Sequence, residues 1–350
     1  MSDAPARILV VALRRLGDVL LTTPLVRSLK RAWPAAQIDA LVFEGTHGIL
    51  AGNPDLANVI TMLERPTLGA SAALLRRLWR RYDIALSTQS GDRPTFYAWA
   101  AARRSVGFVE GESVAARLKR SVLTHPVETR HGTHRVHEVL RLLEPLGVAG
   151  VAEVVAPAGP ARDAVARPYA VIHAAPMFRY KRWTDAGWRA LASAFAARGL
   201  AVVATGGPHD RAALDALWTN RGDVARRDGA LSWGELAALI GGAAVYVGPD
   251  TSVTHLATAT GAPTVALYGP TDPRLWGPWP VGGLDPVWEA AGTIQRRHNV
   301  WLVQNPLDCL PCQQEGCLRR RDSYSRCLDE LPVARVLEAV DAALVRPAAA

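Results

Sequence analysis

Short, wholly apolar runs recur along the chain and alternate with stretches that have the 3.6-residue spacing of amphipathic helices. Runs of this kind are typical of the buried strands of a parallel sheet. The first part of the chain contains such runs at residues 8–13, 38–43 and 84–88. The second part contains them at residues 170–174, 200–205, 243–248 and 263–268. We therefore predict an α/β protein with two parallel sheets.

The segment between the two series, APAGPARDAVARP at residues 156–168, is rich in proline, alanine and glycine and lacks periodicity. Such a composition is typical of a linker. A chain of 350 residues is also long for a single domain. We therefore predict one doubly wound domain at residues 1–160 and a second at residues 161–350, which includes a Cys-rich segment at 306–331 and a C-terminal helix.

Helix boundary signals support this alternation. Thr184 can cap a helix that ends before Gly199, and Ser232 with Glu235 has the spacing of a capping box. Pro332 can open a last helix whose apolar side chains repeat on one face. We assign these residues to structure and not to function.

Composition and charge narrow the classes of function without choosing one. The chain is 49% hydrophobic and 21% charged, which is ordinary for a folded soluble protein. Its formal net charge of +8 suits an anionic partner, so nucleic acid, anionic lipid and a phosphorylated substrate are all open at this point. Arg14 and Arg15 interrupt the first apolar run too early for a signal peptide, and no window is long enough for a spanning helix. We expect a cytoplasmic protein with at most peripheral membrane contact.

The first candidate site lies where the first predicted strand ends, in the string LRRLGDVL at residues 13–20. Ligands of doubly wound sheets bind at the carboxyl ends of the strands. Gly17 lets the backbone turn closely there, and Asp18 stands at the start of the next helix. Asp18 is either a helix cap or a carboxylate general base, and position alone favours neither. No G-x-G-x-x-G follows the strand, which argues against an oxidoreductase.

The second candidate site is the string VGPDTSVTH at residues 247–255. A strand ends there and a helix begins around Thr251, so free backbone N–H groups and the positive end of the helix dipole are available to a phosphate. Thr251 and His255 are four residues apart and share a face of that helix. The alternative is a capped helix with a histidine against the core. We favour a ligand site because Asp250, Thr251 and Ser252 meet at the same strand end.

The third candidate site is the string RYKRW at residues 179–183, which follows the predicted strand at 170–174. Its cations Arg179, Lys181 and Arg182 fit the charge of a diphosphate, which they would hold and stabilise as it leaves. A solvated basic loop is the ordinary alternative. The position just past a strand end favours the phosphate interpretation.

These strings resemble glycosyltransferase family 9, the heptosyltransferases that build the lipopolysaccharide inner core. The resemblance runs nearly end to end and rests on LRRLGDVLLTTPLVRSLKRAWP near the start, FRYKRW after the linker and VGPDTSVTHLATATGAPTVALYGPTDP in the second half. Within the family, the run LLTTP and the segment RLWGPW are most similar to the heptosyltransferase III branch.

The resemblance implies a GT-B fold, in which two Rossmann-like doubly wound domains face each other across a cleft. The N-terminal domain would take the acceptor and the C-terminal domain the nucleotide-sugar donor. It also implies that heptose is transferred with inversion from ADP-L-glycero-β-D-manno-heptose, with no catalytic metal or other cofactor. The implied acceptor is phosphorylated core oligosaccharide at the anionic inner leaflet. Attraction to this anionic acceptor and surface would explain the positive net charge of the chain. No nucleic-acid-binding module accompanies that charge.

Several positions match the family residue by residue. Asp18 matches the catalytic Asp of the family's Gly-Asp motif, which includes Gly17 here, and Lys181 matches the lysine that engages the donor phosphates. The family's donor-binding Asp-Thr-x-x-x-His pattern is matched by Asp250, Thr251 and His255. The resemblance therefore implies a general base in the first domain and a phosphate-binding site in the second.

The chain departs from the family pattern in two places. Ser252 stands where many relatives have glycine, and Ala-Pro-Met at residues 175–177 stands where some members have threonines. Phosphate contacts from that loop must differ, so another nucleotide hexose is an alternative donor. From a different class, a non-catalytic nucleotide-sugar or lipopolysaccharide-binding protein could use the same scaffold. The presence of Asp18 argues against that alternative.

All four cysteines of the chain fall close together, at Cys309, Cys312, Cys317 and Cys327. In a reducing compartment such clustering suggests a metal before disulfides, and the leading C-x-x-C is a common zinc half-site. The segment 306–331 is polar and Arg-rich, so a structural zinc, or iron, would supply ordering free energy that burial does not. The alternative is a set of reduced thiols without metal. Nothing in the sequence marks any of them as an activated nucleophile.

Overall fold

The computed structural model describes residues 4–161, 165 and 168–345. They form two compact units that divide between Pro157 and Ala158, inside the proline- and alanine-rich segment at 156–168. Each unit is built on its own β-sheet. The predicted α/β fold with two sheets is therefore confirmed, although one strand of the second sheet is antiparallel and not parallel as predicted.

The first sheet consists, over the residues described, of six parallel strands. They are β1 (Arg7–Ala12), β2 (Gln37–Phe43), β3 (Asn58–Met62), β4 (Tyr82–Ser87), β5 (Ala102–Val109) and β6 (His125–Glu128). The predicted strands at 8–13, 38–43 and 84–88 are β1, β2 and β4. The apolar runs did not predict β3, β5 and β6, because these strands are partly exposed or begin with polar residues.

The strand order of this sheet is β3-β2-β1-β4-β5-β6, the order of a Rossmann-like domain. β1 pairs with β2 on one side and with β4 on the other. The chain thus proceeds outward in opposite directions from β1 and β4. The loops that follow these two strands diverge, and a ligand-binding crevice is expected at their carboxyl ends.

Helices cover both faces of the first sheet. They are α1 (Leu16–Leu20), α2 (Thr23–Ala32), α3 (Leu68–Leu78), α4 (Asp92–Ala101), α5 (Val114–Val122) and α6 (Arg135–Leu140), with 3-10 helices at Glu44–Leu50 and Arg141–Leu146. Side chains of β1 alternate between the faces. Ile8 and Val10 pack in one cluster with Leu25 of α2, whereas Leu9 and Val11 pack in another that includes α4.

The second sheet has seven strands in the described part of the chain. They are β7 (Tyr169–His173), β8 (Ala201–Gly206), β9 (Val224–Asp228), β10 (Val245–Pro249), β11 (Thr264–Leu267), β12 (Ile294–Arg297) and β13 (Val300–Val303). Their order is β12-β13-β11-β10-β7-β8-β9, and β12 runs antiparallel to β13. β7 pairs with β8 and β10, so the direction of winding reverses between β7 and β10.

Three of the helices described in the second unit begin at the predicted boundary signals. The helices described are α7 (Asp185–Ala197), α8 (Arg211–Leu217), α9 (Trp233–Gly241), α10 (Ser252–Ala259), α11 (Pro273–Trp276), α12 (Arg326–Asp329) and α13 (Val333–Leu344), with 3-10 helices at Arg179–Lys181 and Pro208–Asp210. Thr184 caps α7, Ser232 and Glu235 form the capping box of α9, and Pro332 precedes α13. Among the helices described, none is both long and apolar enough to cross a bilayer.

Candidate active site

Asp18 lies in the first turn of α1, just past the carboxyl end of β1. The N-cap residue of α1 is Arg15, and the carboxylate of Asp18 faces two guanidinium groups instead of a backbone N–H. Arg14 Nη1 donates to Asp18 Oδ1 at 3.3 Å, and Arg135 Nε lies 4.0 Å from the same oxygen. The Asp18 side chain is 14% exposed. These contacts differ from those of a helix cap, in which a carboxylate accepts from the first-turn backbone.

Arg135 is a site residue that sequence reasoning missed. It begins α6, its side chain is buried, and its Nη2 donates to the carbonyl of Thr88 at 2.8 Å. Thr88 follows β4, and both its N–H and its hydroxyl donate to the carbonyl of Val11 in β1. Arg135 is therefore anchored at the reversal point of the first sheet. A single arginine in the string HRVHE has no spacing that could have revealed this.

The charge of Arg135 is maintained despite its burial. Burial lowers the pKa of Arg135 to about 10, while the carboxylate of Asp18 opposes that shift. The guanidinium is thus cationic at neutral pH. A buried cation is screened less by salt than a surface one, so the interaction of Arg135 with Asp18 depends less on ionic strength than that of the half-exposed Arg14.

In the second unit, the structure brings together two residues that the sequence had placed in separate candidate sites. Lys181 follows β7 and Asp250 follows β10, the two strands between which winding reverses. Lys181 Nζ donates to Asp250 Oδ2 at 2.6 Å, and Thr271 Oγ1 donates to the same oxygen at 2.6 Å. Thr271 was missed as a site residue, although it lies in the GPTDP end of the family-like string.

Asp250 is ionised in this arrangement. It is 6% exposed, and burial alone would raise its pKa. The charge of Lys181 and the hydrogen bonds from Lys181 and Thr271 outweigh burial, with a further contribution from His255, so the pKa of Asp250 is lowered. Burial and the neighbouring Asp250 raise the pKa of Tyr268 well above its ordinary value, so its hydroxyl stays neutral. The site therefore has one buried ion pair with neutral donors around it.

The predicted helix after β10 is observed as α10. Thr251 is its N-cap residue and accepts from the Thr254 N–H, Ser252 is its first residue, and His255 is buried one turn further on. Gly248 permits the tight packing at the end of β10, because a Cβ there would lie 2.2 Å from the hydroxyl oxygen of Tyr246. The first turn of α10 thus lies beside Asp250, as the string VGPDTSVTH indicates.

Two further predicted site residues have contacts of other kinds. Arg179 Nη2 pairs with Asp329 Oδ1 of α12 at 3.4 Å, and the side chain of Arg179 is partly exposed. Of the two cations, Lys181 and not Arg179 reaches Asp250. Gly17 lies within α1, where its carbonyl accepts from the Leu21 N–H at 2.9 Å. Gly17 lies just past β1 as expected from the sequence, but in a helix and not in the close turn that was predicted.

The described cysteines do not fit the predicted structural zinc or iron site. Across the described ranges, no three His, Cys, Asp or Glu side chains are placed so that they could hold a metal ion. Exposure divides the thiols: Cys309 and Cys317 are exposed, Cys312 is intermediate and Cys327 is buried. Burial, with a smaller contribution from the other three cysteines, raises the pKa of the Cys327 thiol to about 12. The metal is therefore not supported.

The Cys-rich segment is ordered by burial and hydrogen bonds instead of by a metal. The prediction that burial alone could not order this segment is therefore not supported. Leu328 and Leu331 are buried in the core cluster of the second unit together with Cys327. Leu307 and Leu310 pack against the same cluster. These few aliphatic side chains are spaced without a regular period, so their joint burial was not evident from the sequence.

Replacing Thr271 with valine is expected to weaken the site without disturbing the fold. The change keeps the side-chain shape and removes one hydrogen bond to the Asp250 carboxylate. A hydrogen bond to a charged group is worth about 1.5–3 kcal/mol, and we expect the free energy of unfolding to fall by about 1.5 kcal/mol. Denaturant unfolding measures this loss, and Thr260→Val, which removes a hydroxyl bound to the carbonyl of Ala257, is the matched control. Equal effects of both changes would contradict a special role for Thr271.

Comparison with known proteins shows which family the sequence of this chain matches. A family model described as glycosyltransferase family 9 (heptosyltransferase) matches residues 71–283, which include Lys181, Asp250 and Thr271. Lipopolysaccharide heptosyltransferase 3 of Escherichia coli is 28% identical over 285 residues, which cover 75% of this chain and 83% of that protein. Lipopolysaccharide heptosyltransferase 1 of Pseudomonas aeruginosa is 26% identical over 343 residues, 93% of this chain and 91% of that protein.

A solved structure supports the fold over nearly the whole chain. The structure of E. coli ADP-heptose LPS heptosyltransferase II superposes with a TM-score of 0.76 at 20% sequence identity. The superposition covers 97% of this chain and 98% of that one. Similarity at this level of identity shows the fold, and it confirms the prediction of two Rossmann-like units.

Proposed function

Because the chain belongs to glycosyltransferase family 9, we propose that it moves heptose from ADP-L-glycero-β-D-manno-heptose to the lipopolysaccharide inner core. The observation that carries this proposal is the placement of the family's motif residues. Asp18 lies at the reversal point of the first sheet, and Lys181 with Asp250 lies at that of the second. These are the positions at which doubly wound sheets bind ligands.

In the proposed mechanism, Asp18 is the general base. An acceptor hydroxyl attacks the anomeric carbon of the donor, and its proton passes to the carboxylate of Asp18 while the bond to the ADP phosphate breaks. Attack opposite to the leaving group inverts the anomeric centre. Arg14 and Arg135 lie against the same oxygen of this carboxylate and hold its orientation.

The second unit would hold the leaving diphosphate. Thr251 and Ser252 place hydroxyl and backbone N–H groups at the start of α10, where the helix dipole favours an anion. Lys181 supplies a cation, which is held by Asp250, and the same oxygen of Asp250 accepts a hydrogen bond from Thr271. Arg179 lies on the same loop, where it is paired with Asp329. His255, which is buried in α10, completes the proposed donor-binding set.

The proposal is tested by product analysis. Purified protein is incubated with ADP-heptose and a panel of other nucleotide sugars, each with truncated core acceptors, and the products are identified by mass spectrometry. We expect transfer of one heptose by the wild type and much slower formation of the same product by the Asp18→Asn variant. Transfer from a different nucleotide sugar, with none from ADP-heptose, would show that ADP-heptose is not the donor. Donor binding without any product would instead indicate a non-catalytic binding protein.

We also propose that the first unit contacts an anionic membrane surface at the cytoplasmic side. α3 buries only Leu78 fully, and Leu68 at its start is 92% exposed. The same helix exposes Arg76 and Arg77 in its last turn. A helix that presents apolar and basic side chains together to solvent is typical of interfacial helices.

A patch of aromatic and basic side chains continues this surface. Trp79 and Phe96 are 48% and 45% exposed, and the ring of Trp99 lies 6.0 Å from each of them. The guanidinium of Arg80 lies 5.4 Å from the Trp79 ring and 5.5 Å from the Trp99 ring. We call Trp79, Arg80, Phe96 and Trp99 the basic aromatic patch. Tryptophan favours the headgroup region, and arginine favours anionic lipid.

The double change Trp79→Ala and Phe96→Ala is expected to weaken binding to phosphatidylglycerol vesicles about fivefold, because membrane affinity scales with the apolar area that enters the interface. Vesicle co-sedimentation at physiological salt measures the partition. Val287→Ala, which shortens a similarly exposed apolar side chain in the second unit, is the control. If the double variant binds the vesicles as strongly as the wild type, the basic aromatic patch is not the membrane contact surface.

A further inference from the structure

The Cys-rich segment, residues 306–331, contacts the loop that carries Lys181 on both sides of that lysine. The hydroxyl of Ser325 donates to the carbonyl of Tyr180 at 2.7 Å, in a buried position. The indole Nε1 of Trp183 donates to the carbonyl of Leu331 at 3.0 Å, also buried. Tyr180 and Trp183 flank Lys181 in the chain, so the segment fixes the backbone from which the lysine projects.

Two charged contacts extend this interface. Arg179 pairs with Asp329 at 3.4 Å, and the guanidinium of Arg321 lies 5.4 Å from the ring centre of Phe178. These four contacts of the loop at 178–183 therefore all lead to the Cys-rich segment. That segment is itself anchored by the burial of Leu328 in the core.

The same segment also contacts the loop that carries Thr271. The backbone N–H of Gln313 donates to the carbonyl of Pro270 at 2.8 Å. Gly269 lies so close to α12 that a Cβ on it would be 2.8 Å from Leu328 and 3.3 Å from Cys327 Sγ. The approach of this loop to the Cys-rich segment therefore requires glycine at position 269.

Lys181 and Thr271 both donate to Asp250 Oδ2, and both lie on loops outside the strands of the sheet. Both loops rest on the Cys-rich segment. We infer that this segment is a positioning element of the diphosphate site, with Ser325 and Asp329 as positioning residues that act through Tyr180 and Arg179. The inference rests on the proposed function, because it takes Lys181 as a ligand of the donor diphosphate.

The inference gives Arg179 a specific role. Its guanidinium is engaged by Asp329, so it anchors the loop through α12. If Arg179 bound the donor phosphates directly, neutralising Asp329 would release it and tighten nucleotide binding. If Arg179 is an anchor, the same change loosens the loop and weakens binding. The two roles therefore predict opposite changes in the nucleotide Kd for the same substitution of Asp329.

The test compares Ser325→Ala and Asp329→Asn with the wild-type protein, using titration calorimetry with ADP, UDP and GDP and steady-state kinetics. For the nucleotide that the wild type binds most tightly, we expect the Kd to rise about fivefold in each variant, since each loses one contact worth about 1 kcal/mol. The acceptor KM should stay within about twofold, and Asp329→Glu should restore much of the loss. Asp322→Asn, in an exposed ion pair of the same segment, should leave the Kd unchanged.

Two outcomes would overturn the inference. The first is a nucleotide Kd of Asp329→Asn that is unchanged or lower than that of the wild type. The second is that, in both variants, the nucleotide Kd and the acceptor KM rise together while the melting temperature falls. Asp329 is partly exposed, so its amide variant is expected to fold even if Ser325→Ala does not. The proposed function fails separately, through absence of heptose transfer by a wild-type protein that binds a nucleotide diphosphate.

Discussion

Replacing Asp18 with asparagine is expected to slow heptose transfer about 10²–10⁴-fold, the usual contribution of a positioned general base. The amide keeps the size and hydrogen-bonding shape of the side chain but cannot take the proton of the acceptor hydroxyl. The side chain is largely buried, but Arg14 and Arg135 can still donate to the amide oxygen, so we expect the fold to be intact. The loss should therefore appear in kcat, with little change in melting temperature.

The control for Asp18→Asn is another carboxylate of the first unit that is paired with an arginine. Asp55 is hydrogen-bonded to Arg27 and is comparably buried, but it does not lie at the end of β1. Asp55→Asn should leave kcat near the wild-type value, because it removes an ion pair without removing a base. Near-wild-type turnover in Asp18→Asn would show that the carboxylate is not the base.

Replacing Lys181 with alanine is expected to lower donor kcat/KM about 10–100-fold and to leave the acceptor KM nearly unchanged. A charge-assisted contact to a phosphate is worth about 1.5–3 kcal/mol, and each 1.4 kcal/mol is a factor of ten. The change also leaves Asp250 buried without its cation. Removing one partner of a buried pair costs about 3–5 kcal/mol of stability. Kinetics with each substrate varied in turn, together with denaturant unfolding, measure the two effects.

The double variant Lys181→Ala with Asp250→Asn separates binding from stability. Asparagine removes the uncompensated charge, so the free energy of unfolding should recover in large part, while donor kcat/KM should stay low. Recovery of donor use in the double variant would show that the single change acts through stability. An increase in acceptor KM with unchanged donor kinetics would assign Lys181 to the acceptor.

The pH dependence of stability should change sign at this site. In the wild type the pKa of Asp250 is lowered, so the stability that the pair contributes is complete above the unfolded pKa of about 3.9 and is lost as pH falls through the lower folded value. In Lys181→Ala both contributions of the lysine are lost, and burial, the largest single cause, then opposes only the smaller contributions of Thr271 and His255. We therefore expect the pKa of Asp250 in the folded variant to be raised. The folded variant then binds protons more readily than the unfolded chain, and acidification from neutral pH should stabilise it relative to the wild type.

The sequence by itself determined the features that are encoded locally. Apolar runs predicted β1, β2, β4, β7, β8, β10 and β11 to within about two residues, because a strand buried on both faces must be continuously apolar. Thr184 and the Ser232–Glu235 box predicted helix starts, because capping involves only neighbouring residues. The motif strings indicated the family, which the matching family model confirms.

Only the tertiary structure decided which of these residues meet. Lys181 and Asp250 are 69 residues apart, and they form a pair because β7 and β10 are neighbours in the sheet, an order that local periodicity does not encode. Arg135 reaches Asp18 for the same reason, through the adjacency of β1 and β4. The Cys-rich segment, for which the sequence suggested a metal, is ordered by burial of a few aliphatic side chains and by hydrogen bonds to distant loops. Such contacts depend on where the chain returns in space, and no short stretch of residues specifies that.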